Sequence, residues 1–262
     1  MSDAAILVDR SGGVGRLVLN RPECGNAIDM ALADVLHAEA ASLAADDRVR
    51  CIVLTGSGRL FCAGGDVAAF AAAGEQTSAF LRALADKVHQ TVLLLTTMAK
   101  PLVVAVNGPA AGAGPSLALL GDVVLAARTA HFTTAYGSIG LTTDGGMTWL
   151  LPRLIGLRRA QEMLLANRRI DADVAEQWGL VTRVTAPGTL DAETRALANR
   201  LVDAPVAALG GARRLLHDGV TRTLAAHLDA EAARIAEAGG HDEATEGIAA
   251  FRERRTPVFR HD

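Results

Sequence analysis

Two short apolar runs, each ending in a glycine turn, decide the fold class of this chain. The first is RCIVLTGSG (50–58) and the second is LVVAVNG (102–108). Between them, TSAFLRALADKVHQTVLLLTTM (77–98) has apolar residues at helical spacing and ends just before Lys100-Pro101. Wholly apolar short runs are typical of strands buried on both faces of a sheet, and strands that alternate with helices predict an α/β fold.

The same alternation extends toward both ends of the chain. The segment AAILVDRSGGVGRLVLN (4–20) predicts a hairpin around a glycine turn, and DMALADVLHAEAASLAADD (29–47) predicts a helix. Further along, GPSLALL (114–120) predicts a short helix, and DVVLAAR (122–128) predicts another strand.

The pattern changes near Asp191, after which only helical periodicity remains. We therefore predict an α/β core over residues 1–190 and an all-helical C-terminal region over residues 191–262. Because no low-complexity linker separates them, we expect the two parts to pack together continuously.

Composition and charge exclude several classes of function. The net charge is −3, and without a basic surface we expect no nucleic-acid partner. No apolar run reaches the length of about 18 residues that a membrane span needs. The start of the chain, with Asp3 and no long apolar run, does not resemble a signal peptide, so we expect a cytoplasmic protein.

The cysteines Cys24, Cys51 and Cys62 lack CxxC spacing and nearby histidines, so we expect no metal site.

Each of the two glycine turns belongs to a loop of small residues, FCAGGD (61–66) and VNGPAAGAG (106–114). The dinucleotide-binding fingerprint is absent, because Phe61 stands where its third glycine would fall. Small residues let backbone N–H groups approach a ligand, and Asp66 is suited to cap the following helix. The loops are either ordinary tight turns or two halves of an oxyanion hole. Their placement after neighbouring strands favours the oxyanion hole.

A single acidic residue stands in the otherwise uncharged stretch IGLTTDGGMTW (139–149). Asp144 is the only formally charged residue between Arg128 and Arg153. A desolvated carboxylate is costly unless it is hydrogen-bonded, paired or used in chemistry. Asp144 is therefore either the N-cap of a helix that begins near Gly145 or a catalytic group.

Several of these segments, in this order and spacing, resemble the crotonase (enoyl-CoA hydratase/isomerase) superfamily. The resemblance runs from about residue 16 to residue 259. It rests on LNRPECGNAID, FCAGGDV, KPLVVAVNGPAAGAG, the stretch from Ile139 to Val184, and EGIAAFRERRTPVF. It implies a spiral of ββα repeats, a helical C-terminal region used in trimerisation, and acyl-CoA thioester substrates. Coenzyme A would then be part of the substrate, and no separate cofactor is expected.

The resemblance also implies which residues form the site. The backbone amides of Ala63 and Ala113 match the family's two oxyanion donors, which would hold the negative charge of an enolate on the thioester oxygen. Ala113 stands where the hydratases usually have glycine. The residues that match the family's substrate and CoA site are Cys24, Gly25, Ala63, Gly64, Gly65, Asp66, Ser116 and Arg254.

The sequence departs from the hydratases at their two catalytic glutamates. The matching positions are Ser116 and Tyr136, and neither side chain is a carboxylate base near neutral pH. Asp144 instead matches an acid found in family members that shift a double bond. We therefore predict an isomerase in which Asp144 moves the proton and Tyr136 lines or orients the pocket.

The sequence is also compatible with other reactions. Relatives that dehalogenate aryl-CoA carry a histidine where this chain has His89 and an acid matching Asp144; there the acid attacks the ring and the histidine activates water. Ser116 in GPSLA faintly resembles a serine-hydrolase nucleophile elbow. Hydratase-like chemistry and a non-catalytic acyl-CoA binder are further alternatives.

The densest basic run lies in FRERRTPVFR (251–260) near the C-terminus. Alone, it would be a solvated helix end. The resemblance places Arg254 where a basic residue of a neighbouring subunit helps to hold the CoA phosphates, while the aromatic residue that accompanies it in hydratases is Ile235 here. We accordingly predict a homotrimer or a dimer of trimers.

Overall fold

The computed structural model describes residues 4–260. The part of the start-of-chain prediction that involves Asp3 lies outside the described residues. The strands are β1 (Ile6–Ser11), β2 (Val14–Leu19), β3 (Cys51–Gly56), β4 (Leu102–Val106), β5 (Ala110–Ala111), β6 (Val123–Ala127), β7 (His131–Thr133), β8 (Ile170–Asp171) and β9 (Arg183–Thr185). The helices are α1 (Met30–Ala45), α2 (Val67–Ala72), α3 (Thr77–Thr97), α4 (Ala113–Ala118), α5 (Met147–Ile155), α6 (Leu157–Leu165), α7 (Ala172–Trp178), α8 (Leu190–Val202), α9 (Val206–Asp218), α10 (Leu224–Gly239) and α11 (Asp242–Glu253).

The main sheet has six strands in the order β1-β2-β3-β4-β6-β9. The hairpin β1–β2 is antiparallel, as the sequence predicts, and each of the other neighbours is parallel. The carboxyl ends of β3 and β4 therefore meet at one edge, where Thr55 pairs with Ala105. This register brings the two glycine loops side by side and confirms the predicted α/β class.

A second sheet has three short strands in the order β5-β7-β8, and the sequence patterns do not predict it. Its β5 is only Ala110–Ala111, inside the second glycine loop, and it pairs in parallel with β7. Strands this short carry no alternating pattern, so nothing in the sequence marks them. The small sheet fixes the far side of the loop that carries Ala113.

Alternate residues of the central strands enter two separate cores. Ile52 and Leu54 of β3 pack in the large core shared with α1 and α3. Cys51 and Val53 of the same strand face the other way and pack against Ala198 and Val202 of α8. The sheet is thus buried on both faces, which explains why β3 and β4 are apolar except for Thr55.

Between β9 and residue 260 the chain contains helices joined by loops, and ion pairs tie it to the core. Arg213 of α9 pairs with Asp122 at 2.7 Å and donates to the Thr96 carbonyl at the end of α3.

Large apolar side chains on α9, α10 and α11 are exposed in the single chain: Leu216, Leu224, Leu228, Ile235, Ile248 and Phe251. The predicted trimer stays a prediction. Within residues 4–260 no helix is long and apolar enough to cross a membrane.

The three cysteines differ in their surroundings, and this gives a direct check of the fold. Burial raises the pKa of the Cys51 and Cys62 thiols to about 12, whereas Cys24 is only half-buried. Because the thiolate is the reactive form, we expect the native protein to show one fast thiol in a colorimetric disulfide-exchange titration. Cys24→Ser should abolish it, and denaturant should release the other two. A second fast thiol in the native protein would contradict this packing.

Candidate active site

A cavity of about 410 Å³ opens between the glycine loops, α2, α3 and the segment 135–144. Its walls are mainly apolar. They include Ile28, Val67, Phe70, Leu81, Leu84, Ala85, Val88, Ile139 and Leu141. The polar or backbone groups on the wall belong to Ala63, Gly65, Gly112, Ala113, Tyr136, Ser138, Thr142 and Asp144, and Arg82 is the one cation that residues 4–260 contribute. An apolar cleft with a few convergent polar groups is the usual form of a small-molecule site.

Two asparagines hold the first glycine loop in place. The buried Asn26 donates from Nδ2 to the carbonyls of Ser57 and Leu60, each at 2.9 Å. Asn107 accepts from the Gly56 amide at 3.1 Å and donates to the Gly58 carbonyl at 3.1 Å. These bonds satisfy a turn that would otherwise leave carbonyls unpaired in the interior.

The two glycine loops lie directly against each other. The Phe61 amide donates to the Pro109 carbonyl at 3.0 Å, and the Ala111 amide donates to the Cys62 carbonyl at 2.9 Å. Gly64 has φ +99°, and a Cβ on it would lie 2.9 Å from the Ala111 oxygen and 3.1 Å from the Ala113 nitrogen. Only glycine permits both this conformation and this approach. The predicted convergence of the loops is therefore present.

One of the predicted oxyanion donors requires correction. The Ala63 amide already donates to the Gly25 carbonyl at 2.9 Å, so it is not free for a ligand. The Gly65 amide, two residues on, has no acceptor within residues 4–260 and lies on the cavity wall. The Ala113 amide is the first of α4 and is likewise without an acceptor in that range, because the first N–H groups of a helix have no partner in the helix itself.

The carboxylate of Asp144 meets the phenol of Tyr136 at the cavity wall. Tyr136 donates to Asp144 Oδ1 at 2.5 Å. Burial, and then the neighbouring Asp144 charge, raise the pKa of the Tyr136 phenol well above its ordinary value. Tyr136 is therefore a permanent donor at physiological pH. The other Asp144 oxygen has no hydrogen-bond partner among the described residues.

Asp144 is not a helix cap. The helix α5 begins at Met147, its N-cap is Gly146, and no side chain caps it. Asp66, by contrast, is the N-cap of α2: its carboxylate accepts from the Ala68 and Ala69 amides. The N-cap alternative for Asp144 is thus wrong, and the capping role predicted for Asp66 is confirmed.

His89 and Ser116 both contact the backbone at Asp144. His89 Nε2 accepts a hydrogen bond from the Gly145 amide at 3.2 Å, and the Ser116 hydroxyl donates to the Asp144 carbonyl at 3.2 Å. Ser116 is fully buried and has no histidine partner in residues 4–260, so the nucleophile-elbow alternative is wrong.

The remaining predicted residues lie outside the cavity wall. Gly25 holds the Ala63 amide, and Cys24 donates its thiol to the Arg21 carbonyl beside it. The Asp66 carboxylate caps α2 and forms an ion pair with Arg21 at 3.2 Å. The exposed Arg254 follows the last residue of α11 and does not line the cavity. The cavity wall thus brings together five of the predicted residues: Ala63, Gly65, Ala113, Tyr136 and Asp144.

The sequence did not predict that α3 contributes an apolar wall to the cavity. Leu81, Leu84, Ala85 and Val88 recur at helical spacing, and this pattern does not distinguish a core-facing stripe from a ligand-facing one. No cluster of side chains suited to a metal ion is found in the described part of the chain.

Comparison with known proteins settles the family. The family model for enoyl-CoA hydratase/isomerase matches residues 9–262. The chain belongs to the enoyl-CoA hydratase/isomerase family. The resemblance to the crotonase superfamily inferred from the sequence is confirmed.

Named relatives of this family member differ in their chemistry. The chain is 37% identical over 252 residues to 1,2-epoxyphenylacetyl-CoA isomerase of Escherichia coli (strain K12), covering 94% of this chain and 95% of the relative. It is 35% identical over 254 residues to 4-chlorobenzoyl coenzyme A dehalogenase-1 of Arthrobacter sp., covering 96% and 91%. The solved structure of an enoyl-CoA hydratase from Polaromonas sp. JS666 superposes with a TM-score of 0.93 at 32% identity, covering 97% of this chain and 99% of that one.

Proposed function

We propose that this protein is an acyl-CoA isomerase that shifts a carbon–carbon double bond. The observation that carries the proposal is a single carboxylate, Asp144, with one unpaired oxygen on an apolar cavity that also presents two free amides. One base beside an oxyanion site is what a double-bond shift needs, because the same group removes a proton and returns it elsewhere.

The steps follow from these groups. Asp144 takes a proton from the carbon next to the thioester carbonyl or from the carbon beyond the double bond. The electron pair moves toward the carbonyl, and negative charge develops on the thioester oxygen. The amides of Gly65 and Ala113 hold that oxygen, while Tyr136 keeps the carboxylate oriented. Asp144 then returns the proton to the other end of the allylic system, which moves the double bond and leaves the carboxylate ionised.

Hydration is disfavoured by the side chains at the two positions where the hydratases have glutamates. Ser116 is buried and donates to the Asp144 carbonyl, and Tyr136 is held protonated. Neither can accept a proton from an attacking water near neutral pH. An isomerase that does not add water is therefore the better match to these residues.

Aryl-CoA substitution is a second candidate, supported by the placement of His89 beside the Asp144 turn and by the dehalogenase relative. In that reaction an Asp144 oxygen bonds to the ring carbon, and the halide leaves with its electron pair. Water, activated by His89, then hydrolyses the aryl ester. A mass increment on the Asp144 peptide, trapped by His89→Gln, would be its signature.

The binding of CoA across subunits is also part of the proposal. Arg254 is a surface cation at the end of α11. We place it against the CoA phosphates of a site on an adjacent chain in a trimer or a dimer of trimers. Ile235, on the exposed face of α10, is not aromatic and cannot stack on the adenine.

The proposed reaction is tested with a panel of 2-enoyl-, 3-enoyl- and 4-halobenzoyl-CoA thioesters, followed by ultraviolet absorbance and mass. We expect 3-enoyl-CoA to become 2-enoyl-CoA, and no water to add to 2-enoyl-CoA. Water addition at a comparable rate would contradict the proposal. Tight binding of all three classes without turnover would instead indicate a non-catalytic binder.

A further inference from the structure

We infer that His89 and Ser116 are positioning residues that clamp the peptide group between Asp144 and Gly145 and thereby aim the Asp144 carboxylate. This inference rests on the proposed role of Asp144 as the base. It gives His89 a task that is neither that of a water-activating base nor that of a surface histidine.

The clamp grips both polar atoms of one peptide group. The Asp144 carbonyl accepts from Ser116 Oγ at 3.2 Å and from the Met147 amide at 3.2 Å. The amide on the other side of that peptide bond, Gly145 N–H, donates to His89 Nε2 at 3.2 Å. Because the peptide group is planar, fixing its oxygen and its nitrogen fixes the orientation of the Asp144 Cα.

Gly145 packs closely against Ser116. Gly145 is buried with φ +63°, and a Cβ on it would lie 2.9 Å from both Cβ and Oγ of Ser116. The turn that contains Asp144 and Gly145 therefore packs directly against α4, and the first amide of α4 is that of Ala113. The base and one oxyanion donor are therefore held against the same short helix.

The His89 contact defines the state of the imidazole. An Nε2 that accepts an N–H bond carries no proton, so the neutral ring must carry its proton on Nδ1. The accepting lone pair is used by the Gly145 amide and is not available to a water molecule. His89 also lies outside the cavity wall. Both points favour positioning over proton transfer.

A pair of variants of similar size separates these roles. Glutamine can place its amide oxygen where Nε2 lies and accept from Gly145, whereas leucine fills the volume without an acceptor. We expect His89→Leu to lower kcat about 10- to 100-fold with little change in KM, because a displacement near 1 Å can have such an effect. His89→Gln should keep kcat within about 3-fold of the wild type, because a neutral acceptor is restored.

A control variant and a spectroscopic measurement complete the test. His37→Leu alters a half-buried histidine on α1 and should leave kcat unchanged. Nitrogen-15 NMR of the wild-type protein should show His89 protonated at Nδ1 and unprotonated at Nε2, and this readout does not depend on the folding of any variant. Ser116→Ala should lower kcat less than His89→Leu does, because the Met147 amide still holds the Asp144 carbonyl.

Four results would overturn the clamp. They are full activity of a folded His89→Leu, equal losses in the leucine and glutamine variants, a proton on Nε2, and accumulation of an aspartyl adduct in His89→Gln. The last would support the water-activating role. The proposed function fails by a different result. An Asp144→Asn variant that keeps its activity would contradict the role of Asp144 as the base, whatever the His89 variants show.

Discussion

Replacing Asp144 by Asn is expected to reduce turnover by about 10²- to 10⁴-fold, the usual range for the loss of a positioned general base. Asparagine has nearly the same shape and can still accept the hydrogen bond from Tyr136. Asp144 caps no helix and makes no ion pair in the described residues, so the free energy of unfolding should change by less than about 1 kcal/mol. Steady-state kinetics and thermal unfolding check the two halves separately.

The matched control is an aspartate that does cap a helix. Asp171 is the N-cap of α7 and accepts from the Val174 amide at 2.8 Å. Asp171→Ala should lower the free energy of unfolding by about 1 kcal/mol and leave turnover unchanged. An active but less stable Asp144→Asn would reverse this assignment and return Asp144 to a structural role.

Removing the Ala113 amide is expected to lower kcat by about 10²- to 10³-fold, as the loss of a single oxyanion donor does in other enzymes. Ala113→Pro is the change that does this. Ala113 is the first residue of α4, where proline is tolerated, and it follows Gly112, which has no Cβ to clash with the proline ring. The variant should therefore fold and bind its thioester while losing transition-state stabilisation.

Ala113→Gly provides the comparison, because it keeps the N–H and removes only a methyl group. Its kcat should stay within about 3-fold of the wild type if the amide alone matters. Circular dichroism of both variants establishes that the fold is retained. A folded Ala113→Pro with wild-type kcat would remove Ala113 from the oxyanion site.

The sequence predicted the main elements of the fold because each carries a strong local pattern. The apolar runs of β3 and β4 are continuous, and α3 has a long amphipathic period that ends before Lys100. The convergence of the glycine loops followed from placing two parallel strands side by side. The single acid Asp144 stood out because its surroundings carry no other charge.

The details that the sequence missed depend on contacts distant along the chain. Whether Ala63 or Gly65 offers a free amide depends on Gly25, which takes the Ala63 N–H from a loop nearly forty residues earlier in the printed sequence. The contact of His89 with Gly145 joins α3 to a turn after β7, and no local pattern encodes it. Two-residue strands such as β5 exist only because a partner lies beside them.

In the proposed reaction, one carboxylate, Asp144, moves a proton on an acyl-CoA thioester without adding water. The most direct measurement is the mass and proton NMR spectrum of the product formed from 3-enoyl-CoA in D₂O, with Asp144→Asn run in parallel. We expect the wild type to give 2-enoyl-CoA of the substrate mass or enriched in deuterium at the carbons that exchange a proton, and Asp144→Asn to give almost none. A product heavier by one D₂O, or isomerisation that survives in Asp144→Asn, would contradict the role proposed for Asp144.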